Sequence, residues 1–124
     1  PRGQYIGTEP YNKWTKPSCV LIGEDNYSDA CGFPYVYKTL GIGKLIGAPV
    51  PGTMTAVWWE NQIDPSIVFG IPQVGAIGVE EGRYLENMQI EPDILVYNDP
   101  ASVLRGEDRQ LEAAVKEMLK TIEK

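Results

Sequence analysis

The chain has 124 residues with 11 basic and 17 acidic side chains, no histidine and two cysteines. That length makes one domain at most, and a net charge of −6 argues against nucleic acid or an anionic membrane as partner, since both need clustered Lys and Arg. No apolar run reaches the roughly 20 residues that span a bilayer.

Residues 1–17 hold Pro1, Gly3, Gly7, Pro10 and Pro17 without any hydrophobic period, and read as an extended lead-in. The opening "PRGQYIGTEP" has no methionine and looks like the interior of a longer protein, so cytoplasm and periplasm both stay open. "SCVLIG" is a short continuous apolar run, the pattern of a strand buried on both faces of a parallel sheet. A helix is predicted from about Ser28 to Leu40, beginning near Phe33 or kinked there because Pro34 removes a backbone donor. Gly41 stops it, and "KLIGAPV" is the next strand, giving a βαβ unit.

From Thr53 to Val79 the texture becomes β-rich, punctuated by Asp64-Pro65, Gly70, Pro72 and Gly75, as in short strands or hairpins. Adjacent Trp58 and Trp59 face opposite sides of a strand. One is expected in the core, the other in a groove or against a second buried face. "DILVYND" is a late strand. Leu111, Ala114, Val115, Met118, Leu119 and Ile122 then recur at helical spacing behind a candidate N-cap, Asp108, and should pack on the sheet. The class is α/β.

Several chemistries fit poorly. "GIGKLIG" lacks both the Ser/Thr of a phosphate loop and the spacing of a dinucleotide fingerprint. "GEDNYSD" lacks the glycine and terminal glutamate of a calcium loop, and no histidine is available as a ligand, so no metal and no cofactor is expected. Cys19 and Cys31 read as buried thiols. Ser28, at a strand-to-helix junction, either caps the helix or presents a nucleophile. In the second case the helix dipole and the following N–H, that of Asp29, favour a developing oxyanion.

Ser-Asp-Ala-x-x-Phe-Pro (Ser28 to Pro34), "ENMQIEPDILVYNDP" (86–100) and "GEDRQLEAAV" (106–115) occur in that order. Together they resemble the tricorn-type serine peptidases of the carboxyl-terminal-processing peptidase family. The likeness runs from about Pro17 to the end. It implies that Ser28 is the nucleophile and that the Asp29 amide is one oxyanion donor. It also implies that Glu86, directly or through another hydroxyl, supports a general-base histidine lying in sequence upstream of Pro1. The implied fold is the C-terminal part of a ClpP/crotonase-like spiral βαβ core with a terminal amphipathic helix, occupying residues 18–124. The implied partner is a peptide or protein substrate.

Three departures mark the chain, one of them a turn before Ser28 that is shorter than in many relatives. Gln89 replaces the family glycine of the Glu-Asn-x-Gly turn, and "APVPGTMT" carries no lysine, which favours a histidine mechanism over a Ser–Lys dyad. Ser18 and Ser66 are poorer nucleophile candidates. The missing histidine and Gln89 also leave a second reading, a non-catalytic peptide-binding or scaffolding module. A part-sheet with uncovered edges is expected to self-associate as a homo-oligomer.

Overall fold

Residues 14–122 are described by the computed structural model. The predicted lead-in falls mostly outside them, and residues 14–17 are exposed and irregular. The apolar run forms β1 (Cys19–Ile22), and the chain returns through helix α1 (Asp29–Thr39) to β2 (Lys44–Gly47). β1 and β2 are parallel and adjacent, in register from Cys19 opposite Lys44 to Ile22 opposite Gly47. The predicted βαβ unit is therefore present.

Side-chain alternation decides which layer each strand residue meets. Val20 and Ile22 join Cys31, Tyr37 and Leu45 under α1. Cys19 and Leu21 face the other way, toward the closing helix. Leu45, Ile46, Ala48 and Val50 are wholly buried, so the strand expected over 44–50 is the centre of the core. Its ladder, however, ends at Gly47.

Pro34 neither delays nor breaks α1, which runs through it from Asp29. A proline N leaves the carbonyl four residues earlier without a donor. Here that carbonyl belongs to Ala30, and the Asn26 side-chain amide donates to it at 2.7 Å.

Beyond β2, strands β3 (Thr55–Asn61) and β4 (Val68–Gly75) form an antiparallel hairpin. It is a two-stranded sheet of its own, not joined to the parallel one. This corrects the expectation for the tryptophans: Trp58 is 58 % and Trp59 67 % exposed, because among the described residues no further layer covers either face. The predicted late strand shrinks to β5 (Ile94–Leu95), which adds to the free edge of β2. Asp93 fixes that position, since its carboxylate accepts from the Leu45 N–H and its own N–H donates to the Leu45 carbonyl.

A short helix α2 (Pro100–Leu104) follows, with Asp99 accepting from the Ser102 N–H as its cap. The closing helix α3 (Arg109–Ile122) packs on β1 and β2 through Ala114. Asp108 caps it as predicted, accepting from the Leu111 N–H at 2.9 Å. Gln110 ties the same helix to the strand segment, its side chain donating to the Val96 carbonyl. Leu111, Val115 and Leu119 remain about half exposed, as does Leu21 beneath them (50 %, 49 %, 50 % and 43 %).

Candidate active site

Ser28 sits at the hand-over from β1 to α1 with φ 54° and ψ −118°. A Cβ-bearing residue is strained there, by roughly 1–3 kcal/mol. The side chain makes no capping hydrogen bond, so the capping alternative is not what the geometry shows. The hydroxyl is left exposed at the first turn of the helix. Its backbone carbonyl does begin the helix, accepting from the N–H groups of Cys31 and Gly32.

The turn is held by a residue that sequence reasoning passed over. Asn26 accepts from the Gly23 N–H through Oδ1 and donates to the Ala30 carbonyl through Nδ2. Its backbone carbonyl accepts from the buried Cys31 thiol. These bonds close the loop on both sides of Ser28, which is how a strained residue persists. The only hint in the sequence was Pro34, whose missing donor calls for a substitute.

Asp29 is the first residue of α1, and its N–H donates to no acceptor among the described residues. It belongs to the group of N-terminal amides that a helix leaves unsatisfied. The other serines are engaged elsewhere: Ser18 shares a 2.8 Å hydrogen bond with Tyr37, and Ser66 donates to Asp64 at 2.7 Å.

Glu86 is half-buried and strongly held. Its Oε2 accepts from the Met54 N–H at 2.7 Å and from the Thr55 hydroxyl at 2.8 Å. The Thr55 hydroxyl first, and the Met54 amide second, hold the Glu86 carboxyl below its ordinary range. The loop around it is pinned to the segment leaving β2. Val50 and Ile90 exchange both backbone hydrogen bonds, and the Asn87 N–H donates to the Gly52 carbonyl. The left-handed position of this turn is Asn87 (φ 60°), not Gln89. Asn tolerates that conformation better than most residues, so the turn forms without a glycine at 89. Gly52 allows the close crossing: at φ +83°, a Cβ there would collide with the Met88 carbonyl oxygen.

No hydrogen bond or ion pair joins Ser28 or Asp29 to Glu86 among the described residues. What relates them is topology. Ser28 lies on the segment leaving β1 and the Glu86 clamp on the segment leaving β2, neighbouring parallel strands about 4.8 Å apart. Ser28 follows the carboxyl end of β1 in the chain, and Met54 and Thr55, which hold Glu86, follow that of β2. A cavity of about 360 Å³ opens next to the clamp, lined by Tyr35, Met54, Leu85 and Ile90 among others. Tyr35 spans its rim, donating to Glu81 and accepting from the Val79 N–H. Among the described residues no three His, Cys, Asp or Glu side chains converge as a metal site would require, and no helix is long and apolar enough to cross a membrane.

The sequence model of Peptidase family S41 matches residues 2–96. The chain belongs to that family. Over 122 residues it is 25 % identical to the tricorn protease of Thermoplasma acidophilum, covering 98 % of this chain and 11 % of the relative. A Chlamydia pneumoniae protein is 31 % identical over 90 residues, 72 % of this chain and 14 % of that protein. The chain thus spans only a small fraction of the length of the curated relatives it matches.

Among solved structures, the crystal structure of the tricorn protease superposes with a TM-score of 0.78 at 24 % identity, over 86 % of this chain and 10 % of that one. Mature CPAF superposes with a TM-score of 0.63 at 28 % identity, over 73 % and 17 %. The mixed α/β arrangement is therefore shared with peptidases of this family.

Proposed function

We propose that this chain is the nucleophile-bearing, C-terminal part of a serine endopeptidase domain, occupying residues 18–124 of a spiral βαβ core of the ClpP/crotonase type. Ser28 attacks a peptide carbonyl, the Asp29 N–H faces the developing oxyanion, and Glu86 orients the imidazole that serves as general base. The chain has no histidine, so that imidazole comes from polypeptide beyond it. The observation that carries the proposal is the backbone of Ser28. The Ser28 hydroxyl sits at a strained strand-to-helix turn and makes no capping hydrogen bond, which matches the presentation of a nucleophile.

The chemistry balances within these groups. The imidazole takes the Ser28 proton as Oγ bonds to the carbonyl carbon, and returns it to the departing amine. Water then hydrolyses the acyl-enzyme along the reverse path. Removing the base from such a unit costs on the order of 10⁶ in rate, so this chain by itself is expected to be inactive. In the polypeptide that joins it to a general-base histidine, Ser28→Ala is expected to abolish peptide hydrolysis. An unchanged rate would refute the assignment.

The absence of histidine supports one other reading, a family member that binds peptides without cleaving them. A serine-directed fluorophosphonate separates the two, because only an activated Ser28 reacts. We also propose self-association, on the exposed Leu21, Leu111, Val115 and Leu119 and the outer edge of β1, which pairs with no strand among the described residues. Sedimentation that gives a monomer at every concentration would contradict it.

A further inference from the structure

We propose that Thr55 is a positioning residue for the Glu86 carboxylate: together with the Met54 amide it occupies Oε2 and leaves Oε1 as the oxygen presented to the general base. The inference rests on the peptidase reading above and adds to it a residue that never touches substrate.

Both donors converge on one oxygen, at 2.7 and 2.8 Å. That asymmetry is informative. A glutamate carboxylate turns about a broad, nearly two-fold terminal torsion, and its two oxygens are equivalent until something distinguishes them. Two donors on Oε2 fix the plane of the group, and no hydrogen bond to Oε1 is found among the described residues, although the Thr55 N–H adds a weaker pull on the carboxylate. The Met54 donor is backbone and every residue type supplies it. The Thr55 hydroxyl is the part that evolution or an experiment can remove.

The clamp is also rigidly mounted. Thr55 opens β3 and stands opposite Gly75. The Met54 carbonyl accepts from Ala76, and the Ala76 carbonyl accepts from Leu85, the residue before Glu86. The donor pair and the carboxylate are thus tied by backbone bonds on both sides, so the orientation of Glu86 is set before any imidazole arrives. A carboxylate held in this way needs no reorganisation as charge develops on the imidazole.

The nearly isosteric Thr55→Val and the hydroxyl-retaining Thr55→Ser test this in two measurements. In this chain, carbon-13 titration of the Glu86 carboxyl should show an upward shift of its midpoint in the valine variant and the wild-type midpoint in the serine variant. In the polypeptide that includes the histidine, Thr55→Val should lower kcat by roughly 10- to 100-fold, the scale of a misplaced catalytic group. KM should change little, and Thr55→Ser should restore most of the rate.

A folded valine variant with unchanged kcat, or a serine variant as slow as the valine one, overturns the proposal. Should the valine variant not fold, Thr55→Ala is read by the same two measurements and judged the same way. The parent reading fails separately. If Ser28→Ala keeps full activity, the peptidase assignment falls and the clamp with it. If Ser28→Ala is inactive while Thr55→Val is fully active, only the clamp falls.

Discussion

Relaxing the backbone at Ser28 should stabilise the chain. At φ 54° and ψ −118° any side chain with a Cβ is strained by roughly 1–3 kcal/mol, whereas glycine is not. Glycine returns about 0.5–1 kcal/mol of that through the greater freedom of its unfolded state. Because the Ser28 side chain makes no capping bond, replacing it removes no compensating interaction. Ser28→Gly should therefore exceed Ser28→Ala in stability by about 0.5–2 kcal/mol, with alanine close to wild type. For a domain of this size each kcal/mol moves Tm by about 3–6 °C. Urea unfolding followed by far-ultraviolet circular dichroism, with equal m-values across the three proteins, gives the comparison. If alanine equals or exceeds glycine, the turn is not strained and the argument for a presented hydroxyl loses its basis.

Three other consequences are measurable on the chain. Asn26→Ala should cost about 0.5–1.5 kcal/mol by removing the partner of the Gly23 N–H and of the Ala30 carbonyl. In a Pro34→Ala background the cost should shrink, because residue 34 then donates to Ala30; additive effects in the double-mutant cycle would disprove the substitution of one donor for the other. Gly52→Ala should cost about 3 kcal/mol or more, from its φ and from contact with the Met88 carbonyl, and hydrogen exchange at the Asn87 amide should accelerate with it. Glu117 accepts from Lys120 and Lys44, and these bonds hold its carboxyl down at about 2. A depressed carboxylate stabilises above its unfolded value and loses that contribution as pH falls through the folded one. The α3–β2 tie should therefore weaken on acidification from the ordinary carboxylate range toward pH 2, and Glu117→Gln should flatten that part of the stability profile.

What could be read in advance was what depends on local chemistry. A four-residue apolar strand, a glycine stop after α1 and an aspartate in front of α3 each carry their structural meaning in neighbouring residues. The tryptophans were misjudged because burial depends on whether another layer covers the hairpin, which no pattern within β3 records. Pro34 suggested a late start or a kink in α1, and the remedy came from Asn26, outside the helix. At the candidate site, the position of Ser28 was legible but its backbone strain was not. The Glu86 clamp was invisible, since Thr55 and Glu86 are 31 residues apart and meet only because Gly52 lets two loops cross. Gln89 replaces the family glycine of that turn, yet the left-handed residue is Asn87.

Covalent labelling bears most directly on the central claim. Treat the polypeptide that unites this chain with a general-base histidine with a fluorophosphonate, then map the adduct by tandem mass spectrometry. A single adduct on Ser28 is expected, lost in Ser28→Ala and suppressed by Glu86→Gln. An unlabelled Ser28 in a folded protein, or an adduct on Ser18 or Ser66, would contradict it.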